Sequence, residues 1–398
     1  MNLKHLKTSF YNIFPANQQQ PVKYFFSPGR INLIGEYTDF NGGFVFPAAI
    51  KFGTYAAVTE RTDGLVRLYS GNFAEAGISE FSITDLTKSE NDSWTVYVKG
   101  VLDVFRKAGY VVEKGFDAYI EGNIPNGAGL SSSASLELLI GQILAELNDF
   151  ELSGVQNALL GQKAENEYVG VNCGIMDQFV IGMGKRDYAV KLNTDTLDFE
   201  YVRCDLQDYR ILIMNTNKRR GLTDSKYNER RAECEAALAL LQTKAEISNL
   251  CDLTVAEFAA IADVLTDQNL YQRAQHVIGE NERVKLAVSV LEQGDLSAFG
   301  KLLNQSHISL RDDFAVTGKE LDVIVELAWQ QDGVLGARMT GAGFGGCAIA
   351  LVHYEKIDAV KQAIAAGYQA KIGYPADFYV AQIGDGTKTL SEVAEDDN

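Results

Sequence analysis

The sequence predicts an α+β chain of two domains, at residues 1–205 and 206–398. A chain of 398 residues is longer than a single hydrophobic core usually supports. Strand-like segments dominate its beginning, and helical spacing of apolar residues dominates from about residue 223 to 330. Strands then return after residue 334, so both element types are needed to describe the chain.

The chain up to residue 215 is predicted to contain seven short strands and three helices. Runs of β-branched and aromatic residues between Gly and Asp-Gly turns predict the strands. Apolar residues spaced three and four apart predict the helices. We expect strands at 22–26, 43–48, 54–60, 65–70, 116–122, 188–192 and 210–215, and helices at 94–108, from the serines near 131 to about 148, and at 154–168.

From about residue 223 the pattern becomes helical, and the first of these predicted helices is capped by Asp224. One side of this helix would present Tyr227, Arg231, Cys234 and Leu238. Further helices follow to about residue 330. The remaining pattern predicts a strand at 334–339, a glycine loop at 341–346, a strand at 347–352, a helix at 355–366, a strand at 377–383, and a frayed acidic tail over the last dozen residues.

Composition excludes several classes of protein. The formal charge of −17 argues against nucleic-acid and anionic-membrane partners, although one local site can still bind a small phosphorylated ligand. Five scattered cysteines without a C-x-x-C indicate a reducing compartment, and four distant histidines argue against a zinc enzyme. No apolar run approaches a membrane span, and the N-terminus does not read as a signal peptide. We expect a cytoplasmic monomer that acts on a small molecule.

Residues 126–139, "NGAGLSSSASLELL", predict a loop that enters a helix. Gly127 and Gly129 permit a close backbone approach, and the amide groups at a helix start attract an anion. The lysine of a P-loop is absent, and Ser132 stands where the dinucleotide fingerprint needs its third glycine. Two interpretations remain open: a phosphate site built from amides, or a turn followed by a serine-capped helix.

Two further segments resemble, together with this loop, the three ordered motifs of the GHMP small-molecule kinases. They are "SPGRINLIGEYTDFNGGFVFPAAI" at 27–50 and "RMTGAGFGGCAIAL" at 338–351. The first is similar to the pattern of the galactokinase family, as are "CGIMDQF", "SKYNERRAEC" and "RAQHVIGENERV". The resemblance implies an N-terminal domain like ribosomal protein S5 and a helix-rich C-terminal domain with a ferredoxin-like part. It also implies Mg²⁺-assisted transfer of the ATP γ-phosphoryl group to the anomeric hydroxyl of α-D-galactose, the first committed step of galactose catabolism.

The resemblance also implies the residues of the ATP side. Ser133 and Glu165 would bind Mg²⁺, which prefers hard oxygen ligands. Read alone, Glu165 is an exposed helix carboxylate in "KAENE", and Trp94 fits a core position as well as a nucleotide pocket. The implied nucleotide contacts are Ser70, Trp94, Gly127, Ala128, Gly129, Leu130, Ser131, Ser132 and Ser133.

On the sugar side, the resemblance implies Asp177 as the catalytic carboxylate and Arg30 as its partner. A carboxylate near the anomeric hydroxyl can accept its proton, and an arginine can stabilise the moving phosphoryl group. Read alone, Asp177 is a helix cap, and Asp39 shapes the turn in "TDFNGG". The implied sugar contacts are Glu36, Tyr37, Thr38, Asp39, Gly174 and Tyr227.

The chain departs from the family pattern at two positions, since Tyr37 and Phe40 stand where the pattern has His and Tyr. A phenol reaches further than an imidazole and titrates at a higher pH, so we expect the sugar side of the site to differ and the ATP side to be retained. Three alternatives remain: a related kinase for an amino sugar or pentose, a non-catalytic sugar sensor, and a nicotinamide dehydrogenase suggested by the glycine loop alone.

Overall fold

The computed structural model describes residues 2–89, 92–125, 128–218 and 223–391. Its strands are β1 (Lys23–Asn32), β2 (Phe44–Val45), β3 (Pro47–Arg61), β4 (Leu65–Ser70), β5 (Ile78–Ser82), β6 (Gly115–Gly122), β7 (Tyr188–Asn193), β8 (Phe199–Arg203), β9 (Tyr209–Asn215), β10 (Val334–Thr340), β11 (Cys347–His353), β12 (Asp377–Ala381) and β13 (Lys388–Leu390). Its helices are α1 (Leu3–Ile13), α2 (Thr95–Lys107), α3 (Ser132–Asn148), α4 (Gly154–Lys163), α5 (Met176–Met183), α6 (Thr223–Leu241), α7 (Val255–Ile261), α8 (Gln268–Glu292), α9 (Leu296–Asp312), α10 (Gly318–Trp329) and α11 (Ile357–Ile372).

The first half is built on a six-stranded sheet in the order β13-β1-β3-β6-β4-β5. Alternate residues of a strand point to opposite faces, so one strand can serve two cores. Phe25 and Val58 pack with Leu139 of α3 on one face. Tyr24 packs with Phe10 of α1 on the other. The sheet is therefore covered on both sides, and α3 is held against the strand that leads into the first motif.

The second half contains a four-stranded antiparallel sheet in the order β10-β11-β9-β12. Along the chain β9 is followed by helices, β10, β11, α11 and β12, which is the β-α-β-β-α-β order that ferredoxin-like units have. A third core joins the halves, because Leu33 and Phe46 of the first motif pack with Ile349 of β11. The first motif is thus fixed between the two sheets, while the division at residue 205 stays a prediction.

The predicted frayed tail is wrong at residues 388–390. These residues form β13, in which Leu390 pairs with Tyr24 of β1. The Ser27 and Thr387 hydroxyls lie 2.8 Å apart at the same place. An open strand edge exposes unpaired backbone groups, and the returning chain satisfies them. Residues 392–398 lie outside the described part of the chain.

Most other predicted elements are confirmed, with differences in extent. The strand predicted at 22–26 continues to Asn32, so Arg30 lies on a strand rather than in a loop. The pattern at 43–48 is divided between β2 and the start of β3. Helix α6 is present, but the predicted cap by the Asp224 side chain lies outside what the structure describes. Helix α1 and strands β5 and β8 were not predicted.

Candidate active site

A cleft of about 270 Å³ brings the three motifs together. Its walls come from the end of β1 and the following turn, from the start of α3, from the start of α5, and from the glycine loop after β10. The predicted residues that line it are Arg30, Glu36, Tyr37, Asp39, Ala128, Gly129, Leu130, Ser131, Ser132, Ser133, Glu165, Gly174, Asp177 and Tyr227. Gly127 lies outside the described residues.

Arg30 and Asp177 form a two-point ion pair at the centre of this cleft. Arg30 Nε donates to Asp177 Oδ1 at 2.7 Å, and Nη2 donates to Oδ2 at 2.8 Å. The third nitrogen, Nη1, donates to the Gly129 carbonyl at 2.7 Å. Burial opposes the charge of Arg30, but the Asp177 and Glu36 carboxylates outweigh it and raise the Arg30 pKa. Asp177 lies in the first turn of α5, yet its carboxylate is bound to Arg30 instead of acting only as a cap.

The start of α3 does not have the serine cap that one interpretation of the loop requires. Ser131 precedes the helix in a left-handed conformation, with φ 62° and ψ 51°, and makes no side-chain cap bond. Its hydroxyl donates instead to Asp177 Oδ2. The Ser131 hydroxyl is thus bound to Asp177, and its role as a phosphate contact stays a prediction, while Ser132 and Ser133 at the start of α3 line the cleft.

A second cavity of about 230 Å³ adjoins the cleft. Ser132 and Ser133 border both spaces, and Tyr97 lies between them as well. Ser70 and Trp94, predicted as nucleotide contacts, line the second cavity. The rest of its wall is mostly apolar and includes Phe73, Ile120, Ile124 and Leu136. A flat ring can be buried there beside the serine-rich helix start.

Glu165 is buried, so it is not the exposed helix carboxylate that its local sequence indicates. It lies in a π-helical turn, Ala164–Val169, which follows α4. Turns of this type shift the register of the side chains and are frequent at functional sites. Burial, and then the Asp177 charge, raise the Glu165 pKa to about 7, whereas hydrogen bonds from Cys173, Gln178 and Ser133 oppose the shift. Glu165 and Ser133 are therefore neighbours at the floor of the cleft.

Two further carboxylates, the buried Glu36 and the half-buried Asp39, also line the cleft. Glu36 accepts the Gly341 N–H at 2.7 Å and lies 3.4 Å from Arg338 Nη2. Burial raises the pKa of Glu36 despite the nearby arginines. Burial, with Asp177 and Glu36, raises the pKa of Asp39 to about 7. A Cβ added to Gly174 would overlap the Asp39 carboxylate, so the glycine is needed for this packing.

The tyrosine that departs from the family pattern is tied to the third motif. Tyr37 donates its hydroxyl hydrogen to the Ala342 carbonyl at 2.6 Å. Its ring centroid lies 4.4 Å from that of Phe314 and 5.6 Å from that of Tyr227. Phe40 packs edge-on against Tyr227. Tyr37 thus borders the cleft, but its hydroxyl hydrogen is already donated to the Ala342 carbonyl.

Thr38 is not among the residues that line the cleft, and its predicted sugar contact stays a prediction. The side chain is fully buried, and its hydroxyl lies 2.7 Å from the Phe44 carbonyl and 3.0 Å from the Gly35 carbonyl. A hydroxyl held between two carbonyls stabilises the turn that presents the neighbouring Asp39.

Sequence analysis missed Tyr97, Glu137, Gln178 and Arg338, all of which lie at or behind the cleft. Arg338 donates to the Asn32 and Leu33 carbonyls, at 3.0 and 3.1 Å, and so holds the end of β1. Glu137 carried a usable signal, since it is a charged residue inside the apolar run "ASLELLIGQILA". Such a residue is rarely buried without a partner.

Three family models match the chain. They describe the galactokinase galactose-binding signature at residues 8–60, the GHMP kinases N terminal domain at 96–185, and the GHMP kinases C terminal at 287–370. Among curated proteins, a galactokinase of Clostridium perfringens (strain SM101) is 54% identical, with 98% of this chain and 100% of that protein covered. A galactokinase of Lactiplantibacillus plantarum is 52% identical at the same coverage of both chains.

The solved structures agree with these matches. The crystal structure of Lactococcus lactis galactokinase complexed with galactose has a TM-score of 0.95 and 50% identity, with 98% of this chain and 100% of that one covered. Methanococcus jannaschii mevalonate kinase has a TM-score of 0.66 at 18% identity, covers 92% of this chain and 99% of its own, and shows the shared fold alone.

The fold and the family models together define a small-molecule kinase of the GHMP class. Identity above 50% over nearly the whole chain narrows the class further. The chain belongs to the galactokinase family. Separately, none of the helices in the described ranges combines the length and the apolar character needed to cross a membrane.

Proposed function

We propose that this chain transfers the γ-phosphoryl group of ATP to the anomeric hydroxyl of α-D-galactose, giving galactose 1-phosphate and ADP. The observation that carries the proposal is the position of the Arg30–Asp177 pair. The pair lines the same cleft as Ser132 and Ser133 at the start of α3 and as the Glu36 and Asp39 carboxylates. Membership of the galactokinase family, and the galactose complex of the Lactococcus lactis relative, support galactose as the acceptor.

The ATP side is assigned to the start of α3 and the adjoining cavity. Helix N-terminal amides and the helix dipole attract phosphate groups without a lysine. Ser132 and Ser133 border both spaces, so a nucleotide can place its phosphates there and its base against Trp94. The family resemblance is the reason for keeping Gly127 and Ser70 among the proposed nucleotide contacts.

The residues present fit a Mg²⁺ ion. No three His, Cys, Asp or Glu side chains in the described ranges are arranged to hold a metal by themselves. Mg²⁺, however, usually takes only one or two carboxylates and completes its shell with water and substrate phosphates. Burial, and then the Asp177 charge, raise the Glu165 pKa to about 7, so a cation bound beside Glu165 would offset the cost of keeping this carboxylate charged. Ser133 and Glu165 would hold the ion, and when bound it would neutralise charge on the phosphate oxygens.

The proposed chemical step requires no covalent bond between the protein and the phosphoryl group. Phosphoryl transfer is accelerated mainly by positioning and by charge stabilisation. Arg30 and Ser131 together fix both oxygens of Asp177, so the carboxylate can orient the anomeric hydroxyl and accept its proton. Arg30 can also stabilise charge on the phosphoryl group as it moves.

The sugar is assigned to the wall formed by Glu36, Asp39, Gly174 and Tyr227. A carboxylate accepts hydrogen bonds from two hydroxyls, so Asp39 can fix the orientation of a pyranose ring. Sites built to hydrogen-bond a hydroxyl reject analogues that lack it, because the buried polar group would be left unpaired. This is the basis for expecting discrimination among epimers.

An assay of ATP turnover with galactose, glucose, talose, galactosamine and arabinose tests the proposal, with NMR to locate the new phosphate. We expect galactose to be preferred and phosphorylated at C1. Preference for galactosamine or arabinose would assign a different sugar kinase, and binding of galactose without turnover would assign a sensor.

The variant Asp177→Ala tests the centre of the proposal. We expect kcat to fall by at least about two orders of magnitude, because the group that receives the proton is removed. Circular dichroism should show an intact fold. Asp263→Ala, at an exposed position, is the control and should retain activity. Turnover near the parent rate in Asp177→Ala would remove this residue from the mechanism.

We further propose a cytoplasmic monomer with domains at 1–205 and 206–398. The five cysteines are scattered and form no C-x-x-C, as a reducing compartment favours. Light scattering would test the monomer, localisation of the tagged protein would test the compartment, and limited proteolysis would test the division.

A further inference from the structure

A buried acid–amide pair lies directly behind Glu165. Glu137 of α3 and Gln178 of α5 are both completely buried. Gln178 Nε2 donates to Glu165 Oε2 at 2.7 Å and to Glu137 Oε2 at 3.0 Å. One amide group therefore joins two carboxyl groups, only one of which borders the cleft.

The sequence positions of this pair connect it to the site. Glu137 follows Ser133 by four residues, so both lie on one face of α3. Gln178 follows Asp177 directly in α5. Each of these helices thus supplies one residue that borders the cleft and one member of the pair behind it.

The pair is costly as a purely structural feature. Burying a carboxyl group costs free energy unless its polar atoms are satisfied. Oε1 of Glu137 and Oε1 of Gln178 lack a hydrogen-bond partner among the described residues. An apolar side chain at either place would avoid this cost, as Leu136 and Leu138 do on either side of Glu137.

We propose that Glu137 and Gln178 are positioning residues that fix the Glu165 carboxylate for a divalent cation, an inference that rests on the proposed function. Gln178 restricts the Glu165 rotamer through a direct hydrogen bond, and Glu137 restricts Gln178 in turn. Outer-shell partners of this kind orient a metal ligand, and their loss typically weakens metal binding about 10- to 100-fold.

The test measures metal affinity directly, with Mn²⁺ as the probe and electron paramagnetic resonance as the readout. Parent and variants are titrated with Mn²⁺ in the presence of a non-hydrolysable ATP analogue. Gln178→Met keeps an unbranched side chain but removes the donor, and Glu137→Leu removes its acceptor. We expect each to weaken Mn²⁺ binding about tenfold or more. Glu137→Gln keeps an acceptor oxygen and should stay within about twofold of the parent.

Asn157→Ala is the matched control. Asn157 is also buried and donates to the Leu138 carbonyl at 3.0 Å, next to Glu137, but its contact is to backbone. Its loss should lower the melting temperature and leave the Mn²⁺ affinity unchanged. If Glu137 and Gln178 had only a structural role, Gln178→Met and Glu137→Leu would also lower the melting temperature and leave the Mn²⁺ affinity unchanged.

The outcomes separate this inference from the proposed function. A parent protein that phosphorylates galactose and binds Mn²⁺, with Glu137→Leu and Gln178→Met binding it equally well, overturns only the positioning role. A parent that neither phosphorylates galactose nor binds Mn²⁺ overturns both. The two variants lie on different helices, so either one decides the question if the other fails to fold.

Discussion

Ser131 combines an unfavourable backbone conformation with a contact to Asp177, the proposed catalytic carboxylate. The left-handed region costs a non-glycine residue roughly 1–2 kcal/mol, and such strain tends to persist where the surrounding structure enforces it at functional sites. We predict that Ser131→Gly keeps or raises the free energy of unfolding but lowers kcat about 10- to 100-fold, the loss expected for one hydrogen bond to a charged group.

The affinity for an ATP analogue distinguishes the two roles of Ser131. It should not change in Ser131→Gly if the hydroxyl serves Asp177 alone. A weaker nucleotide affinity with an unchanged kcat would indicate that the Ser131 hydroxyl contacts the phosphates instead. Urea denaturation, steady-state kinetics and nucleotide titration supply the three measurements.

Gly174 leaves room for the Asp39 carboxylate. An added Cβ would overlap that carboxylate, so Gly174→Ala must displace Asp39. We predict that the KM for galactose rises about tenfold, as for loss of a hydrogen bond to a charged group, while the KM for ATP is little changed. Gly279→Ala is the control, because the nearest atoms belong to the flexible end of Arg283. An equal rise in both KM values would indicate general disruption.

At the residue scale, sequence analysis located the cleft residues through family resemblance more than through local pattern. Read alone, Asp177 was a helix cap and Glu165 an exposed acid. Asp177 pairs with Arg30, 147 positions away, and Glu165 is buried and bonded to Gln178, 13 positions away on another helix, so neither role leaves a local trace. The Tyr37 contact with Ala342 spans 305 positions and is equally invisible in the sequence.

Strand β13 closes the edge of the six-stranded sheet. We predict that a chain ending at Gly386 loses about 2–3 kcal/mol of unfolding free energy, at about 1 kcal/mol for each hydrogen bond lost from this short ladder. The newly open edge of β1 should also favour aggregation. A chain ending at Ser391 is the control, since it lacks the acidic end but keeps β13. Equal thermal stability of the two chains would show that β13 is dispensable.

At the element scale, periodicity predicted the elements that are long and well buried. Strand β5 has no buried residue and β8 has one, so neither shows the alternation of a half-buried strand. Strand β13 has three residues, and its partner lies at the other end of the chain. The π-helical turn at Glu165 depends on packing rather than on local preference.

At the scale of the whole molecule, α8 holds the first motif from the second half of the chain. Glu280 accepts the Gly35 N–H at 3.0 Å, and Asn281 accepts the Phe44 N–H at 2.8 Å. His276 Nε2 lies 3.2 Å from the Glu36 carbonyl. These contacts give a physical reason for the resemblance of "RAQHVIGENERV" to the family, because this helix fixes the turn that presents Glu36 and Asp39.

This arrangement makes the stability of the molecule sensitive to acid through His276. Burial lowers the His276 pKa from its ordinary 6.5 to about 4. The Glu280 charge opposes this shift, whereas the charges of Arg283 and Arg338 add to it. Between these values the unfolded chain binds a proton that the folded chain does not, so stability falls as pH falls. The contribution of His276 is present above pH 6.5 and declines by about 1.4 kcal/mol per pH unit, or about 3 kcal/mol in total at pH 4.

We predict that His276→Gln flattens the dependence of unfolding free energy on pH by about 1 kcal/mol per unit between pH 6.5 and 4.5. Asp39 and Glu165 act in the opposite direction, because their pKa values near 7 let the folded chain bind protons in this range. They are common to both proteins, so the difference between the two slopes isolates His276. Urea denaturation at half-unit pH intervals measures both slopes. If they coincide, His276 either is protonated in the folded state or is not buried against the Glu36 turn.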